Sequence, residues 1–529
     1  MHIVIADQLP SSAIDIIRSV PGWTVDSRTQ RPAAELARDL AEADALIVRS
    51  ATTVNADVIA QAKRLRVIAR AGTGVDNVDV PAATERGIVV MNSPGANSVS
   101  VAEHAMALML ALARAVPAAD AAMKKGVWDK KRLTGAELRG KTLGVIGLGR
   151  VGQEVAIRAK AFGMAVVAHD PFISEQVATK LGIELLSVDD LCARSDYLTL
   201  HVPATTETRH LLDARRLALC KAGVRIVNTA RGELIDENAL ADAIERGHVG
   251  GAGLDVFQIE PPPDSRLTRL PQVVATPHIA ASTVEAQELV GTETATNVRD
   301  FLRDGVIRNA VNFPALPVEE YALARPWMQL AERLGSIVAQ LATGRTHRIG
   351  IRYYGPLVSA RAEMLASAVV VGVLQPLLSS AVTIVNARAV AVQRGIEIIE
   401  TRSSRPRDFT NVLSVKLHTS DGERWVEGTV FEPGNPRLSA VDGVDIEAPL
   451  EGTLIVITNN DQPGVIGEVG TILGRHRLNI ANFALGRSDS GAVGLVKIDE
   501  PSKDDGSLQR ALEEIRAAKA IRTASLVRV

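Results

Sequence analysis

The sequence predicts an α/β protein built from several domains, and three observations lead to this prediction. Short apolar runs alternate with helical segments up to residue 95 and again over residues 142–277, which is typical of parallel sheets covered by helices. Near the C-terminus the order of elements changes to βαββαβ. The chain of 529 residues is too long for one domain, and with 46% hydrophobic residues it can form several cores.

The first region is predicted to form a parallel layer. Each of its strands ends in a polar or glycine-containing loop, as expected for strands joined by helices. The predicted strands are residues 3–6, 45–48, 67–70 and 88–91. The next helix contains an apolar run over residues 105–113 and is apolar nearly all round, so we expect it at a buried domain or subunit contact.

A glycine motif follows the predicted strand at residues 142–146. Gly147 permits a tight turn, Gly149 lets the backbone approach a pyrophosphate, and Gly152 lets the next helix, residues 153–162, pack closely on the strand. The free N–H groups at the start of that helix attract an anion. The motif therefore predicts a Rossmann-type dinucleotide-binding domain.

Asp170 indicates which dinucleotide is bound. It follows the second strand of this region, residues 165–168, where a carboxylate can accept hydrogen bonds from ribose hydroxyls and repels a 2′-phosphate. We therefore predict NAD rather than NADP. A second glycine run, Gly72-Thr73-Gly74, has no third glycine in phase and is expected on the substrate side.

Three residues in separate small loops are candidates for the chemistry. His278 follows a strand at residues 272–275, at the sheet edge where α/β proteins bind ligands, and a histidine there can take a proton from an alcohol. Glu260 is the candidate carboxylate that orients the imidazole and favours its charged form. Arg231 offers a planar fork of donors suited to a substrate carboxylate.

The C-terminal half begins near residue 315 with Ala/Val-rich helices and irregular strands. Residues 365–385 carry no charge and are about long enough to span a membrane, but Pro376 lies at their centre, so we expect a buried helix that ends there. Residues 432–436 mark a break. The last unit begins near Thr453, with strands predicted at residues 454–458, 480–485, 493–498 and 525–529, and with helices ending near residues 475 and 518.

Composition excludes several classes of function. The net charge is −2 without acidic or basic blocks and only 3% of residues are aromatic, so no nucleic-acid partner is expected. Cys192 and Cys220 lack metal-ligand spacing, which predicts neither a metal site nor a disulfide framework and favours a reducing compartment. The first residues are predicted to form a strand rather than a signal peptide, so we expect a cytoplasmic protein with no membrane partner.

Several motifs together resemble the D-isomer-specific 2-hydroxyacid dehydrogenase family. They lie at residues 147–152, 170, 228–232, 253–257, 260–261 and 276–278. Further motifs resemble a long-form branch of that family, which carries an intervening domain and a terminal ACT domain. These lie at residues 48–52, 70–79 and 91–98, and the resemblance covers essentially the whole chain.

The resemblance implies the order of domains. A Rossmann-type NAD domain is inserted in a flavodoxin-like substrate domain, and an α+β intervening domain and a βαββαβ ACT domain follow. The expected bounds are residues 1–97 and 283–312 for the substrate domain, 98–282 for the NAD domain, 313–450 for the intervening domain and 452–529 for the ACT domain.

The resemblance also implies an activity, the NAD-linked oxidation of D-3-phosphoglycerate to 3-phosphohydroxypyruvate, which is the first step of L-serine biosynthesis. His278 is implied as the base, Glu260 as its partner and Arg231 as the carboxylate ligand. The residues implied at the cofactor are Thr73, Gly147, Gly149, Arg150, Val151, Gly152, Asp170, Val202, Thr229, Ala230, Arg231, Asp255, His278 and Ala281. The residues implied at the phosphorylated substrate are Arg49, Ser50, Arg70 and Gly72, with Lys131 or Arg132 reaching across a dimer contact.

The terminal unit resembles ACT domains that bind amino acids between paired copies. By this resemblance Asn459, Asp461 and Asn479 hold L-serine as a feedback inhibitor, and an ACT domain that only dimerises is the alternative. A homo-oligomer, either a dimer or a tetramer, is implied. The segment at residues 441–447 is acidic where some long-form relatives are basic, which speaks against an anion effector there.

Two alternatives to the predicted activity stay open. One is a dehydrogenase for another D-2-hydroxyacid or a reductase of a 2-oxoacid, such as hydroxypyruvate or 2-oxoglutarate. The other is an NAD-sensing scaffold built on the same fold. Binding of serine separates the scaffold from the enzyme, because a scaffold has no reason to bind it.

Overall fold

The computed structural model describes residues 1–263, 265–314, 318–378, 382–432, 434–489, 491–499 and 506–529. Within these residues the chain forms four β-sheets, of five, seven, six and four strands. The first two sheets lie side by side around the ligand cleft, and the last two share a hydrophobic core.

The first sheet contains five parallel strands in the order β2-β1-β3-β4-β5. Apart from the edge strand β2, its strands are short runs of mainly Ile, Val and Ala whose side chains are buried on both faces, as is usual in parallel sheets. This order is the flavodoxin-like one, as predicted. The elements are β1 (His2–Ile5), α1 (Ser11–Arg18), β2 (Thr24–Asp26), α2 (Ala33–Asp39), β3 (Ala45–Val48), α3 (Ala56–Gln61), β4 (Val67–Arg70), α4 (Val80–Glu85) and β5 (Val89–Met91).

Two helices then lead into the second unit, α5 (Ser98–Arg114) and α6 (Val116–Lys124). The apolar side of α5 packs against the second sheet, so this predicted buried helix lies at a contact within the chain. Ala115, with φ +50°, ends α5. Beyond it α6 projects and has no buried residue.

The second sheet contains seven parallel strands in the order β12-β11-β10-β9-β6-β7-β8, with helices on both faces. This is the predicted Rossmann-type arrangement. Its elements are β6 (Thr142–Ile146), α7 (Arg150–Ala161), β7 (Ala165–His169), α8 (Glu175–Lys180), β8 (Glu184–Leu185), α9 (Val188–Arg194), β9 (Tyr197–Leu200), α10 (Ala214–Leu219), β10 (Val224–Asn228), α11 (Glu237–Glu245), β11 (Val249–Leu254), α12 (Arg266–Arg269) and β12 (Val273–Ala275).

Helix α13 (Val284–Asp304) carries the chain back to the first sheet, where it packs on α1. Gly291 makes this approach possible, because a Cβ atom there would lie 2.8 Å from Pro10 Cδ. The hydroxyls of Ser100 and Thr283 meet at 2.8 Å at the starts of α5 and α13. The two helices that connect the first sheet with the second therefore begin side by side.

The third sheet has six strands in the order β14-β13-β15-β16-β17-β18, of which β13 and β14 are parallel and the other pairs antiparallel. The break predicted at residues 432–436 falls between the end of β16 and the start of β17, which pair as a hairpin; Pro433 lies outside the described residues. The elements are α14 (Val318–Leu341), β13 (Thr346–Tyr354), α15 (Pro356–Ser359), α16 (Ala362–Leu374), α17 (Ala387–Gln393), β14 (Glu397–Ser403), β15 (Val412–Thr419), β16 (Gly422–Phe431), β17 (Asn435–Val441) and β18 (Val444–Pro449).

The uncharged stretch forms the buried helix α16, which ends in a single 3-10 turn at Gln375–Leu377 that contains Pro376, as predicted. Residues 379–381 of this stretch lie outside the described part. Among the described residues, no single helix is both long and apolar enough to cross a membrane, although the bent pair α5 and α6 meets that test by length and composition.

The fourth sheet has the order β20-β21-β19-β22 and carries two helices on one face, which confirms the βαββαβ unit. Its elements are β19 (Thr453–Asn459), α18 (Val465–Arg475), β20 (Ile480–Ser488), β21 (Gly491–Ile498), α19 (Ser507–Ala517) and β22 (Ile521–Arg528). The face away from α18 and α19 is also buried. Its side chains Leu454, Val456, Val493, Leu495 and Val527 join the core formed by α14, α16 and the third sheet.

Candidate active site

A cleft of about 480 Å³ opens between the carboxyl ends of the first and second sheets. Both sheets contribute to its wall through the loops that follow their strands, which is where α/β folds bind ligands. Most of the predicted substrate and catalytic residues meet in this cleft. Those that line it are Arg49, Ser50, Arg70, Gly72, Glu260, His278 and Ala281.

His278 and Glu260 form a hydrogen-bonded pair in the cleft. The distance between His278 Nδ1 and Glu260 Oε2 is 2.6 Å, and the other carboxylate oxygen accepts a hydrogen bond of 3.0 Å from the Phe257 amide. Because a carboxylate accepts the Nδ1 proton, the lone pair of the imidazole lies on Nε2. The pair therefore presents a base whose tautomer and orientation are fixed.

The loop that carries His278 is held by Asp255. The backbone of His278 has φ +54°, a left-handed conformation that costs free energy for a non-glycine residue unless neighbouring contacts enforce it. The fully buried Asp255 carboxylate accepts hydrogen bonds from the Thr276 hydroxyl at 2.5 Å and from the amides of Ile279 and Ala280 at 2.9 and 2.8 Å. In the structure Asp255 thus fixes the loop, whereas the resemblance implied a contact with the cofactor.

Burial raises the pKa of Asp255, but the hydrogen bonds from His104, Thr276 and the two loop amides outweigh that effect and leave the pKa below its ordinary value. The nearest atoms of His104 and Asp255 are 3.4 Å apart, and His104 also hydrogen-bonds Thr276 at 3.0 Å. The carboxylate is therefore held in its charged form beneath the His278 loop.

Arg231 lies at the edge of the cleft rather than in the wall of the cavity. Its Nε and Nη2 atoms donate to Asp76 Oδ2 at 3.2 and 2.9 Å, and Nη1 donates to the carbonyl of Ala230 at 2.6 Å. The next residue, Gly232, lies so close to the Phe257 backbone that a Cβ atom there would collide with it. The structure therefore ties the Arg231 loop to the loop that precedes Glu260.

Arg49 and Arg70 bring positive charge to the substrate side of the cleft. The Arg49 amide donates to Asp7 at 2.5 Å, which anchors the turn after β3. The Arg70 guanidinium lies across Gly72, where a Cβ atom would collide with it, and its buried Nε has no hydrogen-bond partner among the described residues. Burial and the charges of Arg231 and Arg49 lower the pKa of Arg70.

The glycine turn after β6 has the geometry that a dinucleotide needs. Gly147 has φ +93°, and a Cβ atom on Gly152 would collide with the Gly147 carbonyl, so only glycine fits at both positions. A Cβ atom on Gly149 would meet nothing within 4 Å, which leaves its backbone open to a ligand. The Asp170 carboxylate accepts the Leu148 amide at 2.8 Å, so it lies beside this turn.

The other predicted cofactor residues surround the same edge of the second sheet. Arg150 begins α7 and donates to the carbonyl of Pro94 across the cleft. The Thr229 hydroxyl is buried and has no hydrogen-bond partner in the described part of the chain, so a polar group of a ligand would satisfy it. Thr73, in the loop after β4, donates a hydrogen bond of 3.0 Å to Asn97. The remaining predicted cofactor residues lie in or directly after the loops that follow β6, β9, β10 and β12. They are Val151, Val202, Ala230 and Ala281.

The effector residues expected in the fourth sheet lie around its first loop and the start of β20. The buried Asn459 side chain accepts the Asp461 amide at 2.8 Å, and Asp461 forms an ion pair of 3.2 Å with Arg487. Asn479 donates to Asp499 at 2.6 Å. The structure thus shows partners within the chain for all three side chains.

Sequence reasoning missed the partner of Arg231. Asp76 lies in the quoted motif at residues 70–79, yet its ion pair with Arg231 joins residues 155 positions apart, which no local pattern can reveal. The contacts of His104 with Thr276 and Asp255 were missed for the same reason. A charge within a glycine-rich loop beside a predicted cleft was the only signal available for Asp76.

A doubly wound sheet with this glycine turn, beside a cleft that holds a histidine–carboxylate pair, defines an NAD-dependent dehydrogenase. Residues 106–280 match the family model described as D-isomer specific 2-hydroxyacid dehydrogenase, NAD binding domain. Two further models match, the D-3-phosphoglycerate dehydrogenase intervening domain at residues 323–442 and the ACT domain at residues 453–520. The chain belongs to the D-isomer specific 2-hydroxyacid dehydrogenase family.

Curated relatives match over the full length of the chain. D-3-phosphoglycerate dehydrogenase of Methanocaldococcus jannaschii is 41% identical over 100% of this chain and 99% of its own. The enzyme of that name from Archaeoglobus fulgidus is 43% identical over 95% and 96%. These matches confirm the family predicted from the motifs.

Solved structures match about 60% of the chain. A Thermus thermophilus protein is 39% identical, with a TM-score of 0.55, over 59% of this chain and 100% of its own. D-lactate dehydrogenase from Aquifex aeolicus, in complex with NAD and lactic acid, is 29% identical with a TM-score of 0.52 over 60% of this chain and 100% of its own. The second of these is by its name an NAD-binding dehydrogenase.

Proposed function

We propose that this protein oxidises D-3-phosphoglycerate to 3-phosphohydroxypyruvate with NAD, and that this reaction is the first step of L-serine biosynthesis. The observation that carries the proposal is the cleft, in which two arginines, Arg49 and Arg70, lie in one wall with the His278–Glu260 pair. A substrate that carries a phosphate and a carboxylate needs several cations around one proton acceptor. Full-length similarity to D-3-phosphoglycerate dehydrogenases supports the choice of substrate.

The chemistry begins at the hydroxyl of the substrate. His278 Nε2 accepts the hydroxyl proton, while Glu260 keeps Nδ1 protonated and stabilises the imidazolium that forms. Arg231 binds the carboxylate through its guanidinium, and Arg49 and Arg70 bind the phosphate. The bound NAD supplies the hydride acceptor. In the reverse direction His278 returns the proton to the carbonyl oxygen.

The residues present fit NAD at the second sheet. The open backbone at Gly149, together with the amides at the start of α7, suits the pyrophosphate, and the unsatisfied Thr229 hydroxyl can donate to the cofactor. Asp170 suits the ribose hydroxyls and disfavours a 2′-phosphate. We therefore expect Asp170→Ala to weaken the binding of NADH and to allow the binding of NADPH.

The oxidation of NADH by the purified protein tests this proposal. The expected result is rapid oxidation with 3-phosphohydroxypyruvate and much slower oxidation with hydroxypyruvate and 2-oxoglutarate. Equal rates on the unphosphorylated acids would replace the proposed substrate with a general 2-oxo acid. No turnover of any 2-oxo acid would leave only an NAD-binding scaffold.

L-serine is the proposed effector of the ACT domain. Asn459, Asp461 and Asn479 present the amide and carboxylate groups that recognise an amino acid, and each is polar and close to a loop of the fourth sheet. Calorimetric titration with L-serine tests this assignment, with D-serine as the control. Binding of L-serine that is lost in Asn479→Ala supports it, whereas equal binding of both enantiomers, or of neither, contradicts it.

We also propose that the protein is a homo-oligomer of the cytoplasm. The segment from α6 to Trp128 supports assembly with a second copy, because it exposes Val116, Met123, Val127 and Trp128 to 55%, 54%, 50% and 79%. The positive side chains Lys131 and Arg132 follow this segment in the sequence. Their charge suits a contact with the cleft of the second copy. The free state of Cys192 and Cys220 suits a reducing compartment.

A further inference from the structure

The ion pair between Asp76 and Arg231 involves a proposed catalytic residue, and the mechanism above does not use it. Asp76 lies in the loop after β4 of the first sheet, and Arg231 follows β10 of the second sheet. The pair therefore crosses the cleft and links the loop on the substrate side to the loop on the cofactor side.

The hydrogen bonds of Arg231 occupy one particular edge of its guanidinium. An arginine has five N–H groups, one on Nε and two on each terminal nitrogen. Nε and Nη2, which share the side edge, both donate to Asp76 Oδ2, and Nη1 donates to the Ala230 carbonyl. Within the described part of the chain this leaves one N–H on each terminal nitrogen, along the end edge.

The side edge and the end edge of a guanidinium can each bind a carboxylate with two parallel hydrogen bonds, and here the side edge already holds Asp76. Asp76 and the Ala230 carbonyl hold the other two edges, so the plane of the guanidinium is fixed before a ligand arrives. We propose that Asp76 is a positioning residue, which fixes Arg231 so that its end edge receives the substrate carboxylate. This inference rests on the proposed role of Arg231 in the reaction.

The charges around the cleft support the same assignment. The charges of Arg231 and Arg49 lower the pKa of Arg70, and the Asp76 carboxylate opposes that effect. The close packing of Gly74 against the ion pair also supports the assignment, because a Cβ atom on Gly74 would collide with Arg231 Nη2 and lie 2.6 Å from Asp76 Oδ2. The loop after β4 is therefore shaped to admit the guanidinium beside the carboxylate.

The Asp76 side chain contributes little to the free energy of unfolding. Its side chain is 69% exposed, and an exposed ion pair adds between about 0 and 1 kcal/mol to stability. Removal of the carboxylate therefore changes the orientation of Arg231 rather than the fold. We therefore expect the loss of this carboxylate to weaken substrate binding without lowering stability, which distinguishes a positioning role from a structural one.

Steady-state kinetics and ligand binding test the assignment together. Rates of the wild-type enzyme first establish which 2-oxo acid is turned over, and Asp76→Ala and Asp76→Asn are then measured on that acid. A wrong substrate assignment is thus seen in the wild type, before any variant is compared. Binding of oxalate to the complex with NADH gives a second readout without turnover, because oxalate presents the same planar carboxylate.

In Asp76→Ala we expect KM for the 2-oxo acid and the Kd of oxalate to rise about tenfold, while kcat falls less than about threefold. Asp76→Asn retains an oxygen that can accept both N–H groups, so about a threefold rise is expected. The Kd of NADH and the thermal midpoint stay at the wild-type values in both variants. Asp57→Ala, which removes an exposed acid of α3 outside the cleft wall, leaves every parameter unchanged.

Two results would overturn the assignment. Unchanged KM and oxalate affinity in both Asp76 variants would show that Arg231 is oriented without Asp76. A fall in both KM and the Kd of oxalate would show that Asp76 competes with the substrate for Arg231. If the thermal midpoint of Asp76→Ala is lowered, Asp76→Asn decides between these outcomes, because asparagine preserves the size of the side chain and an acceptor oxygen.

Discussion

At the scale of single residues, the proposed chemistry depends on how the imidazole of His278 is held. Two contacts determine its state, the 2.6 Å hydrogen bond from Nδ1 to Glu260 and the Asp255 carboxylate beneath its loop. The first sets the tautomer and the second sets a backbone conformation that histidine rarely adopts. Each contact predicts a different consequence when it is removed.

The substitution His278→Ala removes the proton acceptor. Because a positioned general base contributes between about 10² and 10⁴ to the rate, we expect a loss of about 10³-fold in kcat. The Kd of NADH, followed by its fluorescence, should stay close to the wild-type value. Near-normal turnover in this variant would show that another group accepts the proton.

The substitution Asp255→Asn tests the anchor of the loop. An amide nitrogen would face the Ile279 or Ala280 N–H group, so one buried donor loses its acceptor and we expect a loss of about 2 kcal/mol in the free energy of unfolding. Urea denaturation at neutral pH measures it. Stability equal to the wild type would show that the loop is held by other contacts.

The pH dependence of unfolding gives a second test of Asp255. Its folded pKa lies below the ordinary value, so the charged carboxylate binds fewer protons in the folded than in the unfolded state. Its contribution is complete above the unfolded pKa of about 3.9 and is lost as the pH falls through the lower folded value. Below about pH 4 we therefore expect the wild type to lose stability more steeply than Asp255→Asn.

Much of the site could be predicted from the sequence, because its residues follow strands that the hydrophobic pattern reveals. His278, Glu260 and Gly147 each lie in a loop bounded by proline or glycine, so their place at the sheet edge follows from local signals. The partner of Arg231 and the role of Asp255 depend on contacts between distant loops. Those contacts follow from the packing of the two sheets and have no local pattern.

At the scale of elements, the parallel strands were the easiest to predict. The predicted bounds of β3, β4 and β6 agree with the structure, since each is a run of β-branched and other apolar residues buried on both faces. Helix α7 begins at Arg150, before the predicted residue 153, because Gly149 is its N-cap. The break at residues 432–436 was predicted but its kind was not, because a turn within a sheet and a linker have similar composition.

The second buried face of the fourth sheet was not predictable from its own sequence. An ACT unit with helices on one face leaves the other face apolar, and only the three-dimensional packing shows that α14 and α16 cover it. Leu495 and Val456 therefore belong to a core that the third and fourth sheets share. The third and fourth sheets are expected to unfold together.

Truncation of Leu495 tests this shared core. Leu495 is fully buried, so Leu495→Ala should lower the free energy of unfolding by about 2 to 5 kcal/mol. Leu323→Ala removes the same atoms from a side chain that is 60% exposed and serves as the control, with a change below about 0.5 kcal/mol. Differential scanning calorimetry measures both. A Leu495→Ala change as small as that of the control would contradict the shared core.

At the scale of the whole molecule, the third sheet and its helices connect the terminal unit to the first sheet. The Thr383 hydroxyl donates to the Gly87 carbonyl at 2.9 Å, directly before β5, and Met364 of α16 joins the core of the first sheet. Contacts within one chain thus lead from the fourth sheet, which carries the proposed effector residues, to the core of the first sheet and the amino end of β5. A ligand that moved the fourth sheet would act on the first sheet through this connection.

The exposed segment from α6 to Trp128 predicts assembly. We expect light scattering to give a mass that is a multiple of the 56.2 kDa chain, and Trp128→Ser to shift the protein toward the single-chain mass because it removes the most exposed apolar side chain of the segment. Val392→Ser, at a side chain 70% exposed in α17, should leave the mass unchanged. A wild-type mass of 56.2 kDa would contradict the proposed assembly.

The most direct test of the account is the ratio of kcat/KM for 3-phosphohydroxypyruvate to kcat/KM for hydroxypyruvate, measured in the wild type and in Arg49→Met. If Arg49 binds the phosphate, the wild-type ratio is at least about 100, and the variant lowers it at least about tenfold through the phosphorylated acid alone. The rate with hydroxypyruvate then stays close to the wild-type value. A wild-type ratio near one, or a variant that slows both acids equally, would contradict the assignment of this cleft to a phosphorylated hydroxy acid.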